Sequence, residues 1–509
     1  MQIVDNRGLL LRVRNPEKIT AAIPKSKQLP NNYVAVRWGV DESRVLRNLN
    51  IRNVPSPILG KYKWTGKYQP FEHQKTTSSF LTLNSRAFCF NEQGTGKTGS
   101  AIWASDFLLR EGVIKRVLII CPLSIMDSAW RADMFNFAMH RTVDIAHGSK
   151  KKRQAIINSD TEYVIINYDG VEVVKEEIIN GGFDLIIVDE ATHYKNAQSK
   201  RWKVLASIIQ PHTWLWMMTG TPAAQSPVDA FGLAKLINPK GVPKFFGAFR
   251  DMVMYKITQF KWVPKDNASD TVFNALQPAI RFTKKECLDL PDMTYVKRKV
   301  ELTAQQNKYY KLLREQMIAV ASGEQITAAN AAVNMNKLLQ ISCGAVYSDT
   351  GETLEFDIKN RYKVLREVID ESSQKVLVFV PFKHVIGVLA DKLTADNITN
   401  GVINGTVSAN KRTELFSQFQ ESPDPRVLII QPQAAAHGVT LTAANTIVWW
   451  GPTSSLETYS QANARVHRSG QKHPCTVVQL EGSNVEKHIY SLLDKRINVH
   501  TQMIDLYKN

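Results

Sequence analysis

The chain has 509 residues, with 64 Lys+Arg against 47 Asp+Glu and a formal net charge of +17. A hydrophobic content of 44% with 22% charged residues is that of a folded globular protein, and it excludes disordered and collagen-like classes. No apolar run reaches the ~20 residues that a membrane helix needs, and at roughly 150 residues per domain the length predicts about three domains or two large ones with additions.

In chain order, residues 1–62 read as a small, separate β/α element. Its opening, MQIVDNRGLLLRVRNP, carries charges inside its one apolar patch, unlike a secretory signal. Short β-branched runs then alternate with helical patterns. Val117–Cys121, Tyr163–Asn167, Leu185–Asp189 and Leu215–Thr219 make one set, and Val376–Val380, Val427–Ile430, Thr446–Trp450 and Thr476–Leu480 make another. Continuous apolar strands separated by helices predict parallel sheets covered on both faces, so the class is α/β. Two sets predict two lobes, 63–290 and 291–509, with the junction at Leu290–Pro291. A helical insertion is expected near 300–345, with Tyr309, Leu312, Leu313 and Met317 on one apolar face. The basic run Lys150–Arg153 reads as a solvated loop, and Trp449-Trp450 as core. The five cysteines are scattered without a CxxC pair, which argues against a zinc site or a disulfide framework and fits a reducing cytosol. The charge suggests a polyanionic partner without choosing between nucleic acid, anionic lipid and nothing specific.

Ser85–Asn91 reads as a strand that runs into Glu92-Gln93-Gly94-Thr95-Gly96-Lys97-Thr98, after which a helix begins. Strand, glycine loop and helix are the context of a phosphate-binding P-loop. Gly94 and Gly96 let backbone N–H groups turn inward around phosphate oxygens, and the helix N-terminus adds its dipole. Lys97 is placed for the β- and γ-phosphates, and the Thr98 hydroxyl for Mg²⁺. The general pattern has glycine at position 91, where this chain has Asn91.

The strand Leu185–Asp189 delivers Asp189 and Glu190 at its carboxyl end. Adjacent residues point in different directions, so Asp189 can serve the metal while Glu190 polarises the attacking water. Farther on, Ser454 and Glu457 form an S-x-x-E capping box that would open a helix. Gln461, Arg465 and Arg468, at spacings of four and three, would share one face of it. Two arginines there suit a phosphate clamp, because guanidinium binds oxyanions in a planar fork.

Together these motifs resemble the superfamily 2 helicases and translocases, most closely the Swi/Snf-like branch and its compact bacteriophage or bacterial members. The match runs from about Gln69 to Asp494. Gln74 in PFEHQ resembles the adenine-reading glutamine. EQGTGKT resembles motif I, CPLSIMDSAW motif Ia, INYDG motif Ib, DEATHYKN motif II and TGTPAAQSP motif III. KVLVFVPF resembles motif IV, QAAAHGVTLTAA motif V and QANARVHRSGQ motif VI. Thr192 stands where the branch has His, and Ala435-Ala436 where it has Gly-Gly.

The resemblance implies two RecA-like lobes using ATP and Mg²⁺. It assigns nucleotide contacts to Gln74, Gln93, Gly94, Thr95, Gly96, Lys97, Thr98, Gly438 and Gln461. The metal falls to Thr98 and Asp189, and catalysis to Lys97, Asp189, Glu190, Arg465 and Arg468, with the arginines as fingers for the γ-phosphate. Duplex or branched DNA is the implied partner, contacted by Ser124, Asn167, Thr219 and Thr221 in the first lobe and Lys383, Arg412 and Thr442 in the second. The expected activity is ATP-driven translocation in DNA replication, recombination or repair, by a monomer in the cytoplasm (a host cytoplasm if phage-encoded), alongside replication or recombination proteins. An RNA or single-strand helicase and an ATP-gated DNA-binding subunit are the alternative readings.

Overall fold

The structure is a computed structural model of the chain. It describes residues 1–223, 226–258, 261–287, 289–323, 328–347, 353–435 and 439–505. The chain divides into two compact units: Met1–Cys287 with Gln502–Asn509, and Leu288–Thr501.

The first unit opens with an antiparallel sheet in the order β1-β2-β4-β3, formed by β1 (Gln2–Val4), β2 (Gly8–Arg12), β3 (Lys27–Leu29) and β4 (Tyr33–Arg37). Alternation places Leu9, Leu11, Val34 and Val36 on one face, where they pack with Ile19, Ile23 and Leu46 in a small core.

The main sheet of this unit uses β5 (Arg86–Cys89), β6 (Val117–Cys121), β7 (Val143–Ile145), β8 (Tyr163–Asn167), β9 (Leu185–Asp189) and β10 (Trp214–Met218). A separate hairpin, β11 (Met254–Lys256) with β12 (Trp262–Pro264), precedes the edge strand β13 (Ala279–Ile280). The order is β13-β5-β10-β9-β6-β8-β7, and every pairing is parallel. The strands read as continuous apolar runs because both faces are buried. Phe88, Leu118, Ile120, Ile186, Val188 and Met217 feed one core, while Cys89, Val117, Ile119, Ile187, Trp216 and Met218 feed the other. A parallel sheet brings all its carboxyl ends to one edge, so the loops after β5, β8, β9 and β10 gather there.

The second unit has β14 (Met293–Lys299), the small hairpin β15 (Ala345–Tyr347) and β16 (Thr353–Glu355), then β17 (Lys375–Phe379), β18 (Asn400–Ile403), β19 (Val427–Ile430), β20 (Ala444–Trp449) and β21 (Cys475–Glu481). Its main sheet runs β14-β21-β20-β17-β19-β18, again all parallel. Trp449 and Trp450 are both fully buried, as their apolar context predicted.

Two local expectations are corrected. Lys150–Arg153 is not a loop but the start of the helix Lys150–Ile157, capped by Ser149. Arg153 is buried there, donating to the Ala146 and Gly148 carbonyls and to Asn167 Oδ1, because the backbone oxygens it meets replace its water. The expected insertion helix forms as Ala304–Gly323, with Tyr309 and Leu312 exposed. The strand expected at Leu215–Thr219 starts one residue earlier, at Trp214, since Trp214 is also buried and pairs with Leu185.

Candidate active site

The phosphate loop follows β5. Gly94 and Gly96 have φ of 86° and 80°, the left-handed region that a side chain disfavours. A Cβ at Gly96 would collide with the Gln74 amide. The helix Lys97–Arg110 begins directly after, with Thr98 in its first turn, and ends before Gly112, whose φ is 70°. Lys97 Nζ donates to the carbonyls of Asn91 at 2.9 Å and Glu92 at 3.2 Å, so the lysine lies along the loop.

Asn91 does what a glycine at this position could not. Its amide donates to Thr77 Oγ1 at 2.8 Å and its Oδ1 accepts from the Phe282 N–H at 3.0 Å. The start of the loop is therefore fixed by side-chain hydrogen bonds. Arg281 fixes its other shoulder, with bonds to the Phe90 carbonyl at 2.6 Å and Glu92 Oε1 at 3.1 Å. Nothing local in the sequence marked Arg281, which is 189 positions from Glu92.

Gln74 and His73 lie on the helix Glu72–Leu83, over the loop. Gln74 Oε1 accepts from the Phe71 N–H at 2.9 Å, its Nε2 faces the Thr95 carbonyl at 3.4 Å, and His73 Nε2 meets that carbonyl at 2.8 Å. Beside them is a cavity of about 440 Å³ lined by Phe71, His73, Thr76, Arg281 and Phe282.

The acidic pair lies across one strand. β10 separates β5 from β9, so the phosphate loop and Asp189 are two strand spacings apart, roughly 10 Å. Asp189 is buried and accepts from Trp130 Nε1 at 2.9 Å through Oδ2, and from the Glu190 N–H at 3.0 Å through Oδ1. Burial pushes its carboxyl above the ordinary range, against the charge of Lys97, which favours ionisation. Glu190 takes φ of 48°, left-handed backbone that costs about 1–3 kcal/mol in a non-glycine residue. The reversal turns the two carboxylates in different directions. Tyr168 holds it by donating its hydroxyl to the Asp189 carbonyl at 2.7 Å.

The structure tests whether a nucleotide with its metal suits these groups. The Gln93 side-chain nitrogen is buried in the phosphate loop without a hydrogen-bond partner among the described residues, and so is the Thr221 hydroxyl after β10. With the glycine cradle, the lysine and the buried carboxylate, these donors and acceptors fit a polyphosphate and a hard divalent cation.

In the second unit the arginine segment departs from its expected form. The cap of the helix Leu456–Asn463 is Ser455, whose side chain accepts from the Thr458 N–H, not Ser454. Gln461 lies on this helix, buried, with its amide on Glu457. The helix ends at Asn463, so Arg465 and Arg468 occupy turns beyond it and not a helical face. Tertiary bonds take the place of the helix there. The Leu441 N–H donates to the Arg465 carbonyl at 2.9 Å, Arg468 Nη1 to the Val439 carbonyl at 3.2 Å, and Gln471 Nε2 to the carbonyls of Ala444 and Val466.

Residues 67–345 match the SNF2-related domain and residues 360–470 the helicase conserved C-terminal domain. The chain belongs to the SNF2-related family. By that membership it carries an SNF2-related domain followed by a helicase conserved C-terminal domain. It is 26% identical over 404 residues to the "Uncharacterized ATP-dependent helicase" of Mycoplasma pneumoniae, covering 77% of this chain and 38% of that protein. It is 24% identical over 463 residues to "Putative protein p41" of Acyrthosiphon pisum secondary endosymbiont phage 1, covering 84% and 98%. It is also 24% identical over 442 residues to the human "DNA annealing helicase and endonuclease ZRANB3", covering 82% and 39%. This chain thus spans about two fifths of the length of the Mycoplasma helicase and of the human protein. Among solved structures it is similar to the Sulfolobus solfataricus SWI2/SNF2 ATPase core in complex with dsDNA, with 21% identity, a TM-score of 0.43, and coverage of 87% of this chain and 94% of that one.

Among the strand-contact candidates of this SNF2-related chain, Ser124 and Lys383 are exposed. Asn167 is half-buried, with its Oδ1 taken by Arg153. Arg412 bonds the Asn404 and Val407 carbonyls, and the Thr442 hydroxyl accepts from Gln420. Thr219 and Thr221 are corrected. Both are buried: Thr219 Oγ1 accepts from the Thr221 N–H at 3.2 Å and so organises the turn after β10, while the Thr221 hydroxyl has no hydrogen-bond partner among the described residues. Gly438, assigned to the nucleotide, lies outside the described residues. Among the described residues, no helix is long and apolar enough to cross a membrane.

Proposed function

We propose that this chain hydrolyses ATP to move along duplex or branched DNA. The observation that carries the reading is the phosphate loop and the Asp189–Glu190 pair at the same edge of one parallel sheet, in a chain of the SNF2-related family. Lys97 leaves the Asn91 and Glu92 carbonyls for the phosphates, while Gly94 and Gly96 give backbone N–H groups access to them. Gln93 supplies its buried amide. Gln74 and the cavity beside Phe71 and Phe282 take the base. Thr98 and Asp189 hold the Mg²⁺ that accompanies the nucleotide, and the ion neutralises phosphate charge when bound. Glu190, turned out of line with Asp189, orients the attacking water. Arg465 and Arg468 act on the charge that develops at the γ-phosphate.

DNA is the proposed track because the chain carries +17 and a relative similar over 82% of it bears the name DNA annealing helicase. Ser124, Asn167, Lys383, Arg412 and Thr442 are the proposed backbone contacts. The test is the ATPase rate with single-stranded, duplex, forked and four-way-junction DNA and with RNA. Stimulation by duplex or branched DNA supports the reading. Stimulation by RNA alone, or by a protein partner and no nucleic acid, overturns it.

A further inference from the structure

The segment from Lys240 to Lys265 is not used by the nucleotide site. It carries six cations against one carboxylate, Asp251. It forms the helix Phe246–Val253 followed by the β11–β12 hairpin. Phe249 and Val253 are buried in the core of the first unit, so the base of this element is anchored. Its outer part is not covered. Phe245 is 69% exposed, Tyr255 53%, Ile257 58% and Met252 46%. An isolated two-stranded hairpin is marginal in water, and large apolar side chains left on one cost solvation without return.

The cations are interleaved with the rings. Lys244 lies over Phe245, with Nζ 5.4 Å from the ring centroid, and Lys265 over Tyr255 at 5.1 Å. Arg250 covers Trp262 at 3.9 Å, on the side of the hairpin where Lys256 pairs with Trp262. Arg250 is the cation that meets Asp251, at 3.4 Å. Among the described residues no carboxylate pairs with Lys244, Lys256 or Lys261. A phosphate track alone would call for the lysines but not the exposed rings. An apolar protein groove would call for the rings but not an excess of five positive charges. Flat rings that alternate with cations suit a chain that alternates flat bases with phosphates.

We propose that this helix and hairpin bind unpaired nucleotides of a branched substrate, with Phe245 and Tyr255 stacking on bases and Lys244, Lys256 and Lys261 along the backbone. The inference rests on the DNA reading above and narrows it to substrates with a single-stranded arm.

The test compares the full chain with the double variant Phe245→Ala/Tyr255→Ala, both changes being at exposed positions. Dissociation constants are read by fluorescence anisotropy on a blunt duplex and on a fork that contains the same duplex. The variant is expected to lose about tenfold or more in fork affinity, which is the loss of at least one stacked base. Its duplex affinity and duplex-stimulated ATPase stay within about twofold of the parent. Tyr255→Phe retains fork binding because the ring is kept. Unchanged fork affinity, or an equal loss on duplex and fork, overturns the proposal. Fork binding that is intact while binding to phosphatidylserine vesicles is lost also overturns it, in favour of a membrane surface. If no DNA stimulates the parent's ATPase, the translocase reading falls, while the fork-against-duplex binding ratio still decides this one.

Discussion

Trp130 donates its indole N–H to the Asp189 carboxylate at 2.9 Å, joining the loop after β6 to the acid at the end of β9. The bond is buried and favours the ionised form of a carboxylate whose pKa burial has already raised. A hydrogen bond to a charged group contributes about 1.5–3 kcal/mol. Trp130→Phe keeps a buried aromatic ring, although a smaller one, and removes the donor. The acid limb of kcat/KM is then expected to move to higher pH by about one unit, since one unit corresponds to about 1.4 kcal/mol. A pH–rate profile of the ATPase checks this. An unmoved acid limb would mean that Trp130 only packs.

Asp189→Asn separates activity from stability. The folded pKa of Asp189 lies above its unfolded value, so the folded chain holds that proton more tightly. The associated stability is fully present below the unfolded pKa and is lost as pH rises through the folded one. At neutral pH the ionised side chain therefore opposes folding. Asparagine removes the charge and keeps one acceptor oxygen, which can still take the Trp130 N–H, while its amide nitrogen replaces the oxygen that faced the Glu190 N–H. We expect hydrolysis to be abolished and Tm at pH 8 to rise, with a smaller gain at pH 5. Thermal denaturation at the two pH values is the measurement, and a fall in Tm at pH 8 contradicts the account.

Arg465 and Arg468 lie in turns held by backbone hydrogen bonds, not on a helix. If they serve the transition state, Arg465→Ala lowers kcat on the order of 10³-fold and leaves binding of a non-hydrolysable ATP analogue nearly unchanged. Arg465→Lys does not rescue, because an ammonium lacks the planar fork. Arg468→Ala also removes the bond to the Val439 carbonyl, so it is expected to lower Tm as well as kcat. Single-turnover kinetics and calorimetric analogue binding distinguish transition-state loss from binding loss.

The parts of the fold that could be read in the sequence were those where one signal dominates. Leu185–Val188 is apolar throughout because both faces of its sheet are covered, and the strand Leu185–Asp189 matches the expected run of residues. The phosphate loop was equally legible, since Gly94 and Gly96 are required by their backbone angles. Tertiary partners were not. Periodicity continued the helix opened at Ser454 through Arg465 and Arg468, but Leu441 and Gln471 claim the backbone oxygens there. Arg153 looked solvated because the carbonyls that receive it, Ala146 and Gly148, carry no side-chain signature. The hydroxyl of Thr219 looked available for a strand until its neighbour's N–H was placed on it.

The second unit has a buried ion pair that no motif marks. Glu486 accepts from Arg361 Nη2 at 2.7 and 2.9 Å, and from the Gly482 N–H at 2.7 Å and the Ser483 hydroxyl at 3.2 Å. Arg361 also donates to the Trp450 carbonyl, so it ties the helix Lys359–Glu371 to the end of β20. Both side chains are fully enclosed, and removal of one charge strands the other. Glu486→Gln is expected to cost about 3–5 kcal/mol. For a unit of this size that is a Tm lower by roughly 10 °C. The paired replacement Arg361→Met/Glu486→Leu leaves no charge uncompensated and is expected to be less destabilising than Glu486→Gln alone. Lys97 and the phosphate loop belong to the other unit, so nucleotide affinity at low temperature should be unchanged in both variants. Thermal denaturation with nucleotide titration decides it: a Glu486→Gln variant as stable as the parent would mean that water reaches the pair.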